Sequence, residues 1–290
     1  MRRFTHTACF DWSGQNVARP NGIALAVMGP DKKPALIENE HGWSREGALE
    51  WLVEQARIGS DILIGIDLSA ALPFTDQEAY FPGWNNSPES AKALWALVDD
   101  ICSDDLYLSA RSIVEHPQLR EYFRHAGYLG NAYGQVRSGR LRMVEEQSRI
   151  QQLANPYSCF NLVGAAQVGK SSLTGMRVLH RLESRIPIWP FDPVPAKGPL
   201  IVEIYTSIAA VNAGLTRGRT KLRDRGSLDK ALDALGVEPH SPLAEYDDHK
   251  TDALMTAAWL AKAAENRALW APKAMNEQIA ATEGWTFGVF

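Results

Sequence analysis

The run Ile62-Leu63-Ile64-Gly65-Ile66-Asp67 constrains the fold more than any other segment of this chain. It has the length of a strand, is apolar on the residues that would face either side of a sheet, and ends on a carboxylate. A strand apolar on both faces belongs in the middle of a sheet with helices packed on both sides, the usual setting of a central parallel strand. The rest of the chain supplies the other parts. Residues 7–11, 23–28 and 35–38 read as three strands, and connections this short make them antiparallel neighbours. Ser44 is a candidate N-cap for a helix whose apolar stripe (Ala48, Leu49, Leu52, Val53, Ala56, Ile58) stops near Gly59.

From about 70 to 155 the sequence turns to helix-like segments, at 87–101, 109–116 and 119–125, mixed with aromatics. This reads as a long, mainly helical insertion that could roof a cleft or form a small subdomain of its own. Regular α/β pattern resumes with an apolar strand at 159–163, a helix at 171–183 and a short strand near 186–189. A second apolar strand follows at 200–205, with Glu203 inside it. Residues 228–235 form a short helix, 248–264 a strong one with a small-residue face, and 283–289 a terminal strand or bend. Right-handed crossovers pair the later strands parallel to the first. The expected fold is therefore α/β and ribonuclease H-like, a mixed five-stranded sheet of order 3-2-1-4-5 flanked by helices. The whole chain, 1–290, forms a single domain in this reading, with 70–155 as an insertion within it.

Composition narrows the setting. The three cysteines, Cys9, Cys102 and Cys159, lie far apart in apolar stretches and read as core residues of a protein in a reducing compartment. The N-terminus does not have the pattern of a signal peptide, and no apolar run reaches the roughly 18 residues of a membrane span. The expectation is a cytoplasmic protein with no membrane partner and an oligomeric state the sequence leaves open. A formal net charge of -4 argues against a protein held on long duplex DNA by phosphate contacts alone, although a local basic patch suffices for a substrate.

The chemistry is carried by acidic residues. Asp11 ends the first strand, Asp67 the fourth, and Asp252 lies one turn inside the last long helix. In an order of 3-2-1-4-5 the first and fourth strands are adjacent, and the helix can lay its N-terminus over their ends, so the three carboxylates can meet. Gathered carboxylates repel unless a cation compensates them, and oxygen ligands favour Mg²⁺ or Mn²⁺. Such a site can activate water for phosphodiester hydrolysis. Each residue also has a plainer use: Asp11 and Asp67 as turn or helix caps, Asp248 as the N-cap of the helix or a further metal ligand. His249, three residues before Asp252 on the same helical face, could transfer a proton or simply lie on the surface. Glu203 either faces the cleft or pairs with an arginine elsewhere.

Residues 164–171 (GAAQVGKS) fit the P-loop pattern, with an apolar strand expected before and a helix after. This makes a nucleotide-binding NTPase the rival enzyme. A milder version keeps only phosphate contact by Lys170 and Ser171. The basic residues Arg217, Arg219, Lys221, Arg223 and Arg225 are further phosphate contacts or a solvated loop.

At these residues the chain resembles the DUF429 family, whose members are predicted to be ribonuclease H-like nucleases. The resemblance rests on ACFDWSG at 8–14, ILIGIDLSAALPF at 62–74, VGAAQVGKSSLTGMRVLHRL at 163–182 and IWPFD at 188–192. It continues through IVEIYTS at 201–207, DDHKTDALMTAAWLA at 247–261 and EGWTFGV at 283–289. It implies a site built from Asp11, Asp67, Glu203 and Asp252, a divalent metal, and a nucleic-acid or nucleotide substrate. It also implies that Val168, Gly169, Ser172, Leu173, Gly175 and Met176 form a landmark of their own, so that Lys170-Ser171 completes a P-loop pattern by coincidence. Thr206 stands where that family often has proline after the E-x-Y tyrosine. A degenerate domain of this kind, used as a catalytically inactive binding scaffold, is the non-enzymatic alternative.

Overall fold

The computed structural model describes residues 2–134, 139–164 and 167–290. In chain order the elements are β1 (His6–Asp11), β2 (Ala24–Met28), β3 (Pro34–Leu36), α1 (Arg45–Ile58), β4 (Ile62–Asp67), α2 (Ala91–Ile101), α3 (Ser112–Glu115), β5 (Arg124–His125), β6 (Tyr128–Leu129) and α4 (Met143–Ile150). They continue with α5 (Val168–Arg181), β7 (Ile188–Trp189), β8 (Leu200–Ile204), α6 (Thr206–Asn212), α7 (Arg225–Leu235), α8 (Asp248–Ala263) and α9 (Glu277–Thr282).

The main sheet among the described residues runs β3-β2-β1-β4-β8-β7. β1, β2 and β3 pair antiparallel, while β1–β4, β4–β8 and β8–β7 are parallel. The expected order of five strands therefore holds, with a sixth added at the edge: the short strand near 186–189 joins β8 through Ile188 and Trp189. Two residues are too few for periodicity to reveal a sheet position. The strand expected at 159–163 is absent. There, Asn161 makes only an isolated bridge to Arg124, because Cys159, Phe160 and Leu162 are buried among helices and loops instead of lying in a sheet. The C-terminal segment likewise touches the sheet at one bridge, Glu203 with Thr286. Of the helices expected in the insertion, α2 and α3 lie within 87–101 and 109–116. The segment 119–125 instead divides into a 3-10 turn over Leu119–Tyr122 and the first strand of a small hairpin, Arg124–His125 with Tyr128–Leu129. Neither that hairpin nor α4 is signalled by the sequence.

Burial follows the two-residue period of the strands. Ala8, Phe10, Ile64, Ile66 and Ile201 point to one face, where they pack with Leu52 of α1, Trp95 of α2 and Leu173 of α5. Cys9, Leu63, Val202 and Ile204 point to the other, against Ile208 of α6, Leu232 of α7 and Ala257 of α8. Both faces of β4 are thus covered, as its apolar run requires. All three cysteines are buried and free. Local signals at the ends of α1 also act as read: the Ser44 hydroxyl accepts from Gly47 N, and Gly59 closes the helix in the left-handed region at φ 63°. No helix among the described residues is long and apolar enough to cross a membrane.

Gly65 sets how close α8 can come. A Cβ there would lie 3.0 Å from the Ile204 side chain and 3.4 Å from Leu260. Glycine in the middle of the central strand therefore leaves room for the side chains that lock the helix onto the sheet.

A candidate acidic site at the strand ends

Register brings the first two carboxylates together. Phe10 pairs with Ile66 across the parallel β1–β4 ladder, so Asp11 and Asp67, one residue further on, are lateral neighbours at the C-terminal ends of their strands. They share the parity of Cys9 and Gly65, which face α8. The same face is tied to the helix by the Thr7 hydroxyl, which donates to the Ala257 carbonyl at 2.7 Å. Asp252, buried in α8, lies on this side too. Asp248 is not the helix cap. Asp247 takes that role, its carboxylate accepting from Lys250 N at 2.9 Å, and Asp248 turns to Arg223 at 2.8 and 3.1 Å on the outer rim. That arginine holds the Asp248 carboxyl below the usual range.

Asp11 acts electrostatically on both Asp67 and Asp252. Burial first, then Asp11, pushes the Asp67 carboxyl well above the ordinary carboxylate range; Asp252 adds to the effect and Lys221 opposes it. Asp252 is pushed up to about 7 by burial, with Asp11 adding to the shift and Lys221 partly offsetting it. The Cys9 thiol beneath them is raised by burial and then by all three aspartates. Lys221 and, when protonated, His249 answer this charge. The Lys221 side chain is half exposed along its stem, but its ammonium hydrogen-bonds and ion-pairs with the buried Asp252. Burial alone would depress that ammonium; Asp252, with Asp11 and Asp67 beyond it, holds it above its ordinary range. His249 Nδ1 lies 2.6 Å from Asp11 Oδ2, and this hydrogen bond raises the imidazole's pKa. Asp67 accepts from the Thr206 hydroxyl at 3.1 Å.

The donor chemistry suits Mg²⁺ or Mn²⁺, since every carboxylate here is a hard oxygen ligand. The spacing does not present a ready ligand set: no group of three or more His, Cys, Asp or Glu among the described residues is arranged to hold a metal ion. The chain's own Lys221 ammonium supplies positive charge there.

Glu203 belongs to the other side of the sheet. It pairs with Ile66 in the β4–β8 ladder, one residue out of step with Asp67, and so faces away from α8. There the Arg142 guanidinium grips it with two bonds of 2.8 and 2.6 Å, Ala70 N donates at 2.7 Å, and the Thr286 hydroxyl donates as well. Arg142 also binds Glu145 at 2.9 Å and the Glu283 carbonyl at 3.0 Å. Of the two uses open to Glu203, pairing with an arginine is the one observed. Nothing in the sequence singles out Arg142 as that partner, and nothing there signals that Lys221 reaches Asp252.

The P-loop pattern at 164–171 lacks its structural context. Ala165 and Ala166 lie outside the described residues, but the flanking parts are clear. No strand precedes the loop, and α5 already includes Val168, Gly169 and Lys170. The Gly169 amide is used by the Asn161 carbonyl at 3.1 Å and the Lys170 amide by the Gln167 carbonyl at 3.2 Å, so neither is free to cradle a phosphate. The side chains part company as well. Ser171 lines the same cleft as Asp67, whereas Lys170 lines another with Arg111 and His125. The β1–β2 loop also presses on this helix start. A Cβ on Gly14 would lie 2.2 Å from the Lys170 carbonyl carbon, so Gly14→Ala is expected to cost about 1–3 kcal/mol through overpacking. A thermal melt would show it, and an unchanged Tm would mean that this contact is slack.

Three clefts border the site, one lined by Asp67, one by Lys221 and one by His249. One, about 670 Å³ with its open mouth included, runs from Asp67 past Ser171 and Tyr205. A second of about 910 Å³ is bordered by Tyr205, Arg217, Arg219 and Lys221. The third, about 1460 Å³, reaches His249 from the β2–β3 side. No protein-family model matches this chain, and neither a curated protein nor a solved structure matches it.

Proposed function

We propose that the strand-end site is that of a hydrolase of phosphodiester bonds, acting on a nucleic acid or nucleotide with Mg²⁺ or Mn²⁺. One observation carries this reading: Asp11 and Asp67 are neighbours on one sheet face, Asp252 faces them from α8, and the Lys221 ammonium is held by the charge of all three. A divalent ion supplies water activation and charge neutralisation at such a site. The chain's own residues do the rest. Asp11, Asp67 and Asp252 provide oxygen ligands, with Lys221 giving up its bond to Asp252. His249, oriented by Asp11, holds a proton at Nε2 or Nδ1 that can pass to a leaving oxygen. Arg217 and Arg219, which border the adjoining groove and have no ion-pair partner among the described residues, bind flanking phosphates. This assignment agrees with what the DUF429 resemblance implies for the aspartates and departs from it at Glu203, whose work is structural. Asp248 is left outside the ligand set by its bond to Arg223.

The test uses the full chain, stripped with EDTA, and labelled single-stranded DNA and RNA oligonucleotides. Cleavage is expected only after Mn²⁺ or Mg²⁺ is restored, and Asp67→Asn is expected to abolish it. His249→Ala should slow it by about 10²- to 10⁴-fold, the range for losing a general acid or base. Cleavage that survives Asp67→Asn overturns the assignment. A specific observation favours a second reading, the binding scaffold: the acidic group is already answered by Lys221. Ligand binding with no turnover under either ion would support it.

A further inference from the structure

We propose that the cleft beside Asp67 is a subsite for one nucleobase of the substrate, a reading that rests on the phosphodiesterase assignment and adds the ligand's chemistry to it. The cleft has an unusual combination of walls. Trp12, Tyr157 and Tyr205 supply aromatic surface, and Ser69 and Ser171 supply hydroxyls. Ser148, on α4, also lines it; that residue is 3% exposed, and among the described residues its hydroxyl has no hydrogen-bond partner. A buried hydroxyl without a partner is costly. A ligand with ring nitrogens or exocyclic oxygen and amino groups relieves it.

Charge distinguishes a base from a phosphate here. Arg142 is the cation lining this cleft, and Glu203 and Glu145 both engage it. The cleft therefore offers no free positive charge to an anion; its walls are aromatic and aliphatic surface, hydroxyls, and the carboxyl groups of Asp67, Glu145 and Glu203. The free positive charge lies on the other side of Tyr205, in the groove of Arg217 and Arg219. Tyr205 borders both spaces, and Asp67 opens into the first. From the aromatic wall at Tyr157 the environment turns acidic at Asp67 and then cationic at Arg217 and Arg219. A nucleotide unit has the matching sequence of base, reacting phosphate and flanking phosphates. Stacking on aromatic side chains tolerates any base, since every base has a π-face, so recognition here is of the ring class and not of a particular letter.

Tyr157 is the decisive residue for a test because it is 48% exposed, and its replacement leaves the core intact. Titration calorimetry in EDTA, with adenosine and adenosine 5′-monophosphate as ligands, separates this inference from the catalytic one. Saturable binding of both is expected. Tyr157→Ala should weaken both roughly 5- to 150-fold, the range for losing one base–aromatic stack, and Tyr157→Phe should restore them. Ser148→Val should weaken both by filling the space and removing the hydroxyl. Arg217→Ala should weaken the monophosphate alone. Absence of saturable binding by either ligand overturns the subsite, as does binding indifferent to Tyr157→Ala; metal-dependent cleavage would stand in either case. Binding that behaves as expected in a protein that never cleaves leaves the subsite standing and removes the catalytic assignment.

Discussion

Arg142→Met is expected to destabilise the protein by about 3–5 kcal/mol, the usual cost of removing one member of a buried ion pair. The guanidinium is 1% exposed, and Glu203 is 3% exposed, so neither charge can turn to water when its partner is lost. Glu203 would keep the donors Ala70 N and Thr286 Oγ1, which cannot replace a formal positive charge. Glu145 would lose the same partner, and burial already pushes its carboxyl up. The Arg142–Glu203 bond also spans 61 residues of sequence, joining the insertion to β8. Its loss should therefore loosen the wall of the cleft as well as the sheet. Urea unfolding followed by circular dichroism would give the change in midpoint at constant slope. Double replacement, Arg142→Met with Glu203→Met, should recover part of the loss because no buried charge is then stranded. A loss below about 1 kcal/mol in the single variant, the level of exposed pairs, would show that the site is far wetter than its burial implies.

The second large effect has the opposite sign. Asp252→Asn is expected to stabilise the metal-free protein, by roughly 1–4 kcal/mol at pH 8. The carboxyl titrates at about 7 in the fold against an ordinary 3.8. Between those values the folded chain holds a proton that the unfolded chain has released, so parent stability falls as pH rises from about 4 to about 7. Below about 4 both states are protonated and this penalty vanishes; above about 7 it is complete. The variant carries no such charge, and its advantage should grow across that window and then level off. Asparagine keeps an acceptor oxygen for Lys221, whose half-exposed side chain can also reach solvent. Thermal melts from pH 4 to pH 8 would test this, and a pH-independent difference would remove the carboxyl's titration as the cause. Under the proposed function, Mn²⁺ should raise the parent's Tm and leave the variant's nearly unchanged, because only the parent offers the ion all three carboxylates. The site would then be a place where stability is given up for chemistry.

Much of the fold could be read without coordinates. The β4 run, the antiparallel opening and the small-residue helix α8 all announce themselves through periods of two or 3.6, which are local properties of a strand or helix buried on known faces. Ser44 and Gly59 mark their helix ends because capping depends on a few neighbouring residues. The misreadings have the same root. Cys159, Phe160 and Leu162 are as apolar as a strand, yet a short apolar run carries no information on whether it pairs or packs. Residues 164–171 have the P-loop spelling, but their amides are spent on Asn161 and Gln167, the first of which lies outside the motif.

The three aspartates show what the chain by itself determines. Their positions at the end of β1, the end of β4 and one turn into α8 follow from local pattern, and the strand order follows from short connections and crossover handedness. What only the tertiary structure decides is which carboxylates share a face and what neutralises them. A single step in the β4–β8 register sends Glu203 to Arg142 and leaves Asp67 beside Asp11. Lys221 reaches Asp252 from a loop that in sequence looks merely basic. Such pairings join residues far apart in the chain, and side-chain charge compensation has no period that a sequence can display.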